Sequence, residues 1–412
     1  MKILMIHKFY YIEGGAERYY FNLSELLQRQ GHEVIPFAMH HPRNLETPWS
    51  RYFVDYFEPD KELAHLGPVN GLKAAARVVY NRQARTRIEA LIDAVKPDIA
   101  HVHGVYHHLS PAVLFSLKKK KLPVVFTLHE YKILCPDYLF LDRQGEVCER
   151  CAGKHFWHAT AGRCFRNSLP ASALVTLESY VHRLLRTYRN QVDLYLSPSR
   201  FLRGKMIQYG YPESQVEWLP YTIPMDHYAP CYDNDGYFVY VGRLSHEKGI
   251  AELVHAMKRV PRAHLKVIGT GRLGEPLAQY VREEGLRNVE FLGYKSGEEL
   301  REIVRRAMFV VVPSVVYDNS PLSIYEAFAH GKPVVGAAIG GIPELIEEGR
   351  DGFLFTAGDE ESLVAALERM LDCAPQWPEM GRAGRRKAEE LFGPEAHLQK
   401  METIYQRLVR SR

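Results

Sequence analysis

The sequence predicts an α/β protein of two Rossmann-like domains, each built on a parallel sheet, facing across a central cleft. Three observations carry that prediction. Apolar runs of strand length alternate with helical patterns from end to end, the signature of repeated βα units. The 412 residues suffice for two domains of roughly 200 residues each. The stretch Pro220–Gly236, rich in proline and ending Asp233-Asn234-Asp235-Gly236, separates two such series and reads as a linker.

In the first half the expected strands are Lys2–Ile6, Glu33–Ala38, Ile99–His103, Val124–His129 and Asp193–Ser197. In the second they are Tyr237–Gly242, Leu265–Gly269, Val289–Gly293, Phe309–Pro313 and Val334–Gly336. The opening Met1–Ile6 meets His7 and Lys8 at once, so it reads as a strand rather than a signal segment. The expected domains are 1–219, a linker 220–236, and 237–393, followed by a last helix within 394–412.

A hydrophobic content of 46% and a charged content of 25% are those of a globular protein in water. No run of about 18 apolar residues occurs, so no spanning helix is expected. The expected location is the cytoplasm, with no nucleic-acid partner. The net charge of +4 hides an asymmetry. Residues 1–215 hold 29 Lys+Arg against 20 Asp+Glu (29 − 20 = +9), and the remainder holds 24 against 29 (−5). The basic residues include Lys73, Arg77, Arg82, Arg85 and Arg87, and the run Lys118–Lys121. They suit solvated surface, or docking on the inner membrane face, where each cation adds about 1 kcal/mol of attraction to anionic lipid.

Two segments carry the chemistry. Val241–Gly249 reads VGRLSHEKG and Asp318–Gly336 reads DNSPLSIYEAFAHGKPVVG, each following an expected strand, where open α/β sheets bind ligands. Arg243 offers a permanently charged fork and Lys248 a point charge, a pair suited to a diphosphate. Asp318 and Glu326 offer carboxylates to sugar hydroxyls. Asp318, Asn319 and Ser320 also stand where they could cap a helix starting near Pro321, and peptide N–H groups around Pro321, Leu322 and Ser323 would supplement the cations. Gly14-Gly15 follow the first strand and open a helix, a place where backbone amides approach an anion closely. His129 ends a strand and should leave the buried sheet, unless it is a structural histidine. Gly269-Thr270-Gly271 and Gly293-Tyr294-Lys295 are tight turns after two further strands.

In combination these residues resemble the GT-B glycosyltransferases, specifically the retaining group called family 4. The resemblance implies that Arg243 and Lys248 hold the donor pyrophosphate, that Asp318, standing where the family has Glu, meets the transferred sugar, and that Glu326 meets the ribose. It implies that Gly14 and Gly15 face the donor phosphate, that His129 contacts the donor sugar, that Gly269 lines the donor site, and that Tyr294 meets the base through its backbone. It also implies that the last helix packs back on the first domain. Front-face transfer follows, with the departing diphosphate oxygen taking the acceptor's proton and cations of the protein replacing a catalytic metal.

Cys135, Cys148, Cys151 and Cys164 form a C-x12-C-x2-C-x12-C pattern. Its C-x2-C centre with one thiol on each side could close a tetrahedral structural zinc site; buried free thiols are the alternative. The expected activity is transfer of a sugar from a UDP- or GDP-sugar to a lipid-linked or polysaccharide acceptor. The alternatives are a sugar-nucleotide-binding partner without catalysis, or another GT-B enzyme such as an epimerase.

Overall fold

A computed structural model describes residues 1–58 and 68–411. The chain divides into two compact units, Met1–Leu219 with Leu398–Arg412, and Pro220–His397. Among the described residues no helix is long and apolar enough to cross a membrane.

The first unit is built on β1 (Lys2–Ile6), β2 (Glu33–Phe37), β3 (Ile99–Val102), β4 (Val124–Thr127), β5 (Leu194–Ser197) and β6 (Val216–Trp218). They form one parallel sheet in the order β2-β1-β3-β4-β5-β6. Ile3 through Ile6 and all of β3, β4 and β5 are buried, as continuous apolar runs in a parallel sheet covered on both faces require. The helix Gly15–Arg29 (α1) follows β1. A longer helix, Leu169–Leu184 (α2), lies between β4 and β5 in sequence, and Ser168 caps it by accepting from the Ala171 amide. The closing residues from Leu398 onward belong to this unit: Tyr405 is buried and its hydroxyl lies 2.6 Å from His101 Nδ1.

The second unit holds β7 (Tyr237–Val241), β8 (His264–Ile268), β9 (Val289–Gly293), β10 (Val310–Val312), β11 (Val334–Ala337) and β12 (Gly352–Phe355). The order is β12-β11-β10-β7-β8-β9, again all parallel. The chain runs outward from β7 in one direction through β8 and β9, then returns to β10 on the other side. β7 and β10 therefore flank a topological switch point, where the loops leaving their carboxyl ends diverge and open a crevice. The helix Leu322–Ala329 (α3) follows β10. Residues 220–236, the expected linker, are bonded into this unit: the Thr222 hydroxyl donates to the Phe392 carbonyl at 2.9 Å and Lys332 Nζ to that of Asp233 at 2.8 Å. In the first unit the corresponding switch lies between β1 and β3, and His7, Gly14 and His103 follow those strands.

Candidate active site

At the β7/β10 switch point the loop after β7 meets the loop after β10. Gly249 makes the meeting possible. Its φ is +65°, and a Cβ there would stand 1.8 Å from the Pro313 carbonyl oxygen, so only glycine lets the 246–249 turn lie against residues 313–318. Lys248 is thereby brought to Asp318, with Nζ 2.5 Å from Oδ2, and the Ser314 hydroxyl donates to the same oxygen at 2.9 Å. Burial pushes the Asp318 carboxyl up, but the charge and hydrogen bond of Lys248, the Ser314 hydroxyl and Arg243 outweigh it and hold it below the ordinary value. Asp318 is therefore an ionised carboxylate, 13% exposed, with Lys248 27% exposed beside it. Arg243 is different: its side chain is 73% exposed and its nearest charged partner, Glu247, is 3.9 Å away.

The turns after β8 and β9 stack beside this pair. The Leu244 amide donates to the Thr270 carbonyl at 3.0 Å, and the Gly269 amide to that of Gly293 at 2.8 Å. Gly269, Tyr294, Arg243, Lys248 and Asp318 thus share one edge of one sheet, and Tyr294 is exposed. Asn319 and Ser320 are buried at the start of α3. The N-cap position is Pro321, which has no side-chain cap to offer; of the expected caps, Asp318 is engaged with Lys248, and the Ser320 hydroxyl lies 2.6 Å from that of Tyr325. Leu322, the first helical residue, is buried.

Glu326 is buried on α3 and accepts from the Tyr228 hydroxyl at 3.2 Å. Tyr228 and Ser314, which hydrogen-bond the two candidate carboxylates Glu326 and Asp318, are residues that sequence reasoning missed. Ser314 stands four residues before Asp318, a spacing that could have been noticed; Tyr228 sits in the proline-rich stretch with no local signal.

The first unit carries the remaining site residues. Gly15 starts α1, and Gly14 precedes it in extended conformation. The Gly14 amide, expected to greet a phosphate, donates instead to Glu17 Oε2 at 2.9 Å, so an acidic side chain of the same helix satisfies that donor. Glu17 also lies 3.4 Å from His7, whose imidazole is pushed down to about 3 by burial and the Lys8 charge and stays neutral.

His129 follows β4 and lies half-buried, with Nε2 2.9 Å from Nδ1 of His103. Burial, with neighbouring cationic and imidazole charge, holds both rings well below the ordinary histidine value, so both are neutral. One of the two nitrogens must donate. His103 is fully buried and its Nε2 has no hydrogen-bond partner. An orphaned N–H is costlier than an orphaned lone pair. The favoured arrangement therefore has His103 Nδ1–H donating to His129 Nε2, which leaves the His129 proton on Nδ1. By contrast, His101 bonds Tyr405 and Thr127, and His107 lies 3.1 Å from Glu178; these two serve the fold.

Cys151 is buried with Phe156 and Ala159, and Cys164 and Tyr180 pack against them. Arg150 Nε approaches Cys148 Sγ at 3.1 Å, and Cys135 is buried. Burial pushes the thiols of Cys151 and Cys164 up to about 12 and about 11. Among the described residues no three His, Cys, Asp or Glu side chains are assembled as a group that could hold a metal ion.

Comparison with known proteins agrees with this architecture. The family model described as Glycosyltransferase Family 4 matches residues 13–227, and that described as Glycosyl transferases group 1 matches residues 235–373. A sulfoquinovosyl transferase from Arabidopsis thaliana is 34% identical over 319 residues, covering 74% of this chain and 56% of its own length. The chain thus spans little more than half of that relative. Sucrose-phosphate synthase from Thermosynechococcus elongatus superposes with a TM-score of 0.73 at 20% identity, each chain covered completely. Anabaena HepE, solved with UDP and glucose, superposes with a TM-score of 0.68 at 18% identity, covering 99% of this chain and 100% of that one. Two six-stranded parallel sheets, their switch-point loops and these matches place the chain in the GT-B fold, and it belongs to glycosyltransferase family 4.

Proposed function

We propose that the protein is a metal-independent, retaining glycosyltransferase that moves a sugar from a nucleoside-diphosphate sugar to a lipid-linked or glycan acceptor. The observation that carries the reading is the contact of Lys248 with Asp318 at the β7/β10 switch point, with Arg243 exposed on the same loop. An ammonium group has three donors, so Lys248 can hold Asp318 and reach a phosphate oxygen together. Arg243 adds a bidentate fork for the same diphosphate. Their combined charge opposes the negative charge that develops as the glycosidic bond to the diphosphate breaks. The ionised Asp318 accepts hydrogen bonds from hydroxyls of the transferred sugar, and Glu326, oriented by Tyr228, accepts from the ribose. His129 donates its Nδ1 proton to a sugar hydroxyl. A diphosphate oxygen takes the acceptor proton, so no protein base is required.

UDP is the favoured nucleotide, because HepE was solved with UDP and glucose on the same fold. The spacing of Cys135, Cys148, Cys151 and Cys164 also suits a structural zinc away from the chemistry, although their side chains are not assembled around one point here; one ion per chain by elemental analysis would support it, and four freely titrating thiols in metal-free native protein would exclude it.

Thermal denaturation with UDP, GDP and ADP, followed by turnover with the matching sugar nucleotides in EDTA, tests the reading. A nucleotide at one hundred times its dissociation constant adds about 2.7 kcal/mol of stability. The product anomer should match that of the donor. Binding without any transfer would favour a catalytically silent partner protein, and interconversion of the sugar without transfer an epimerase.

A further inference from the structure

Helix α2 presents two faces of opposite character. The inward face, Ser172, Val175, Thr176, Glu178 and His182, is buried. Its one carboxylate, Glu178, is held 2.9 Å from Lys132 and 3.1 Å from His107. The outward face is apolar and exposed. Leu169, Leu177 and Leu184 are 48%, 56% and 84% exposed, and Ala173 lies exposed between the first two. Residues 169, 173, 177 and 184 fall at helical spacing, so they form one stripe about 22 Å long at 1.5 Å per residue. Leu185 and Trp157 extend the apolar surface, Trp157 being half exposed with its amide 3.2 Å from the Tyr180 hydroxyl on α2.

Charge marks both ends of this stripe. Arg163 and Arg166 precede it, Arg183 stands next to its last leucine, Arg186 and Arg189 follow it, and all five are exposed. Between residues 150 and 192 the sole acidic residue is Glu178, which is buried and paired. Several cations of the other basic regions are already paired. Lys118, Lys119 and Lys120 pair with Asp193, Glu89 and Asp93, while Arg85 bonds Ser116 and Glu89. Those cations are offset within the unit.

We propose that the exposed face of α2, with Trp157 and the arginines at its ends, is a docking surface for an anionic lipid bilayer. An apolar stripe with an aromatic residue and arginine ends is what an interfacial helix requires: leucines enter the acyl boundary while guanidinium groups stay among phosphate headgroups. Lipid is favoured over a second copy of the chain by charge, because a two-fold contact through this face would bring the same arginines together. The inference deepens the lipid-linked part of the proposed function and is separable from it, since turnover on a water-soluble acceptor reads the transfer chemistry alone.

The test uses flotation of the full chain with phosphatidylglycerol–phosphatidylcholine vesicles and with pure phosphatidylcholine vesicles. The native protein should float with the anionic vesicles, less so as salt rises. Leu177→Asn with Leu184→Asn should weaken that partitioning by about tenfold or more, since two largely exposed leucines would no longer enter the apolar boundary. Their exposure predicts an unchanged melting temperature and unchanged turnover on a soluble acceptor. Arg183→Ala with Arg186→Ala should flatten the salt dependence, and a blue shift of tryptophan emission on binding should diminish in Trp157→Phe. Equal flotation of the native and leucine-substituted proteins would overturn the proposal. So would failure of the native protein to bind anionic vesicles at low salt, or a native dimer dispersed by the leucine substitutions, which would assign the face to a second copy.

Discussion

Lys248→Ala should cost both activity and stability, whereas Arg243→Ala should cost activity alone. Lys248 Nζ lies 2.5 Å from Asp318, whose side chain is 13% exposed, while Arg243 is 73% exposed. Truncating Lys248 leaves the Asp318 carboxylate with the Ser314 hydroxyl but without its cation. Breaking a fully buried pair costs about 3–5 kcal/mol and an exposed one about 0–1, so this partly buried pair is worth about 2 kcal/mol. For a unit of roughly 180 residues that is a fall of about 4–8 °C in melting temperature. Asp318→Asn in the Lys248→Ala background should recover much of the loss, because the unpaired charge is gone. Urea denaturation of the two single variants and the double variant measures the coupling directly, with about 1–2 kcal/mol expected. Turnover should fall by about a hundredfold or more in both Lys248→Ala and Arg243→Ala. A Lys248→Ala protein as stable as Arg243→Ala, with coupling below about 0.5 kcal/mol, would refute the reasoning.

Gly249→Ala should displace the 246–249 turn from Pro313 and lower turnover toward that of Lys248→Ala, although no charged group is removed; native-like activity would show that the turn is not what positions Lys248. His103→Phe should leave His129 Nε2 without its donor, mix the two His129 tautomers in ¹⁵N spectra, and lower turnover about tenfold, the worth of one neutral hydrogen bond; an unchanged His129 spectrum would remove His103 from that role. Stability should fall on acidification. His7, held down to about 3, and His330, held down to about 4, are both lowered chiefly by burial, so between those values and about 6.5 the unfolded chain binds protons that the folded chain refuses. Each contributes a slope of about 1.4 kcal/mol per pH unit across that window, lost as pH drops below 6.5. Asp137, raised by burial to about 7, acts in the opposite sense between about 4 and 7, and Asp137→Asn should steepen the acid loss measured by melting temperature.

Much of the architecture is legible in the sequence because a parallel sheet covered on both faces writes each strand as a largely apolar run. Ten strands were readable on that basis, although Lys266 and Glu290 interrupt β8 and β9, and all ten match the structure to within about two residues, as strand ends generally do. The two that escaped, Val216–Trp218 and Gly352–Phe355, lie at sheet edges. The first is three residues long. The second opens on Gly352, whose missing Cβ would stand 2.1 Å from the Val334 carbonyl oxygen, and glycine reads as a breaker when its neighbour across the sheet is unknown. Arg243, Lys248, Asp318 and Glu326 were legible as types of group suited to phosphate and sugar. Their pairing was not, because the Lys248–Asp318 bond spans seventy residues and depends on Gly249 packing against Pro313. Tyr228 was hidden for the same reason, its partner Glu326 being 98 residues distant. At Gly14 the sequence pointed to an anion, and the structure supplies one from within, Glu17.

The return of the closing residues to the first unit bears on how the chain is made. His101, in the middle of the β1–β3–β4 sheet, has both ring nitrogens engaged, one by Thr127 and the other by Tyr405; Glu402 reaches His32 at 2.8 Å, and Arg407 reaches Glu217 at 2.5 Å. Residues 1–219 therefore leave the ribosome without the segment that completes their core. At about 5–20 residues per second, the intervening second unit takes on the order of ten to forty seconds to synthesise. For that interval the newborn first sheet carries a buried imidazole lacking its phenol and an uncovered apolar surface where Met401, Ile404 and Tyr405 will later settle. A chaperone that shields nascent apolar surface has its longest opportunity on this half of the molecule.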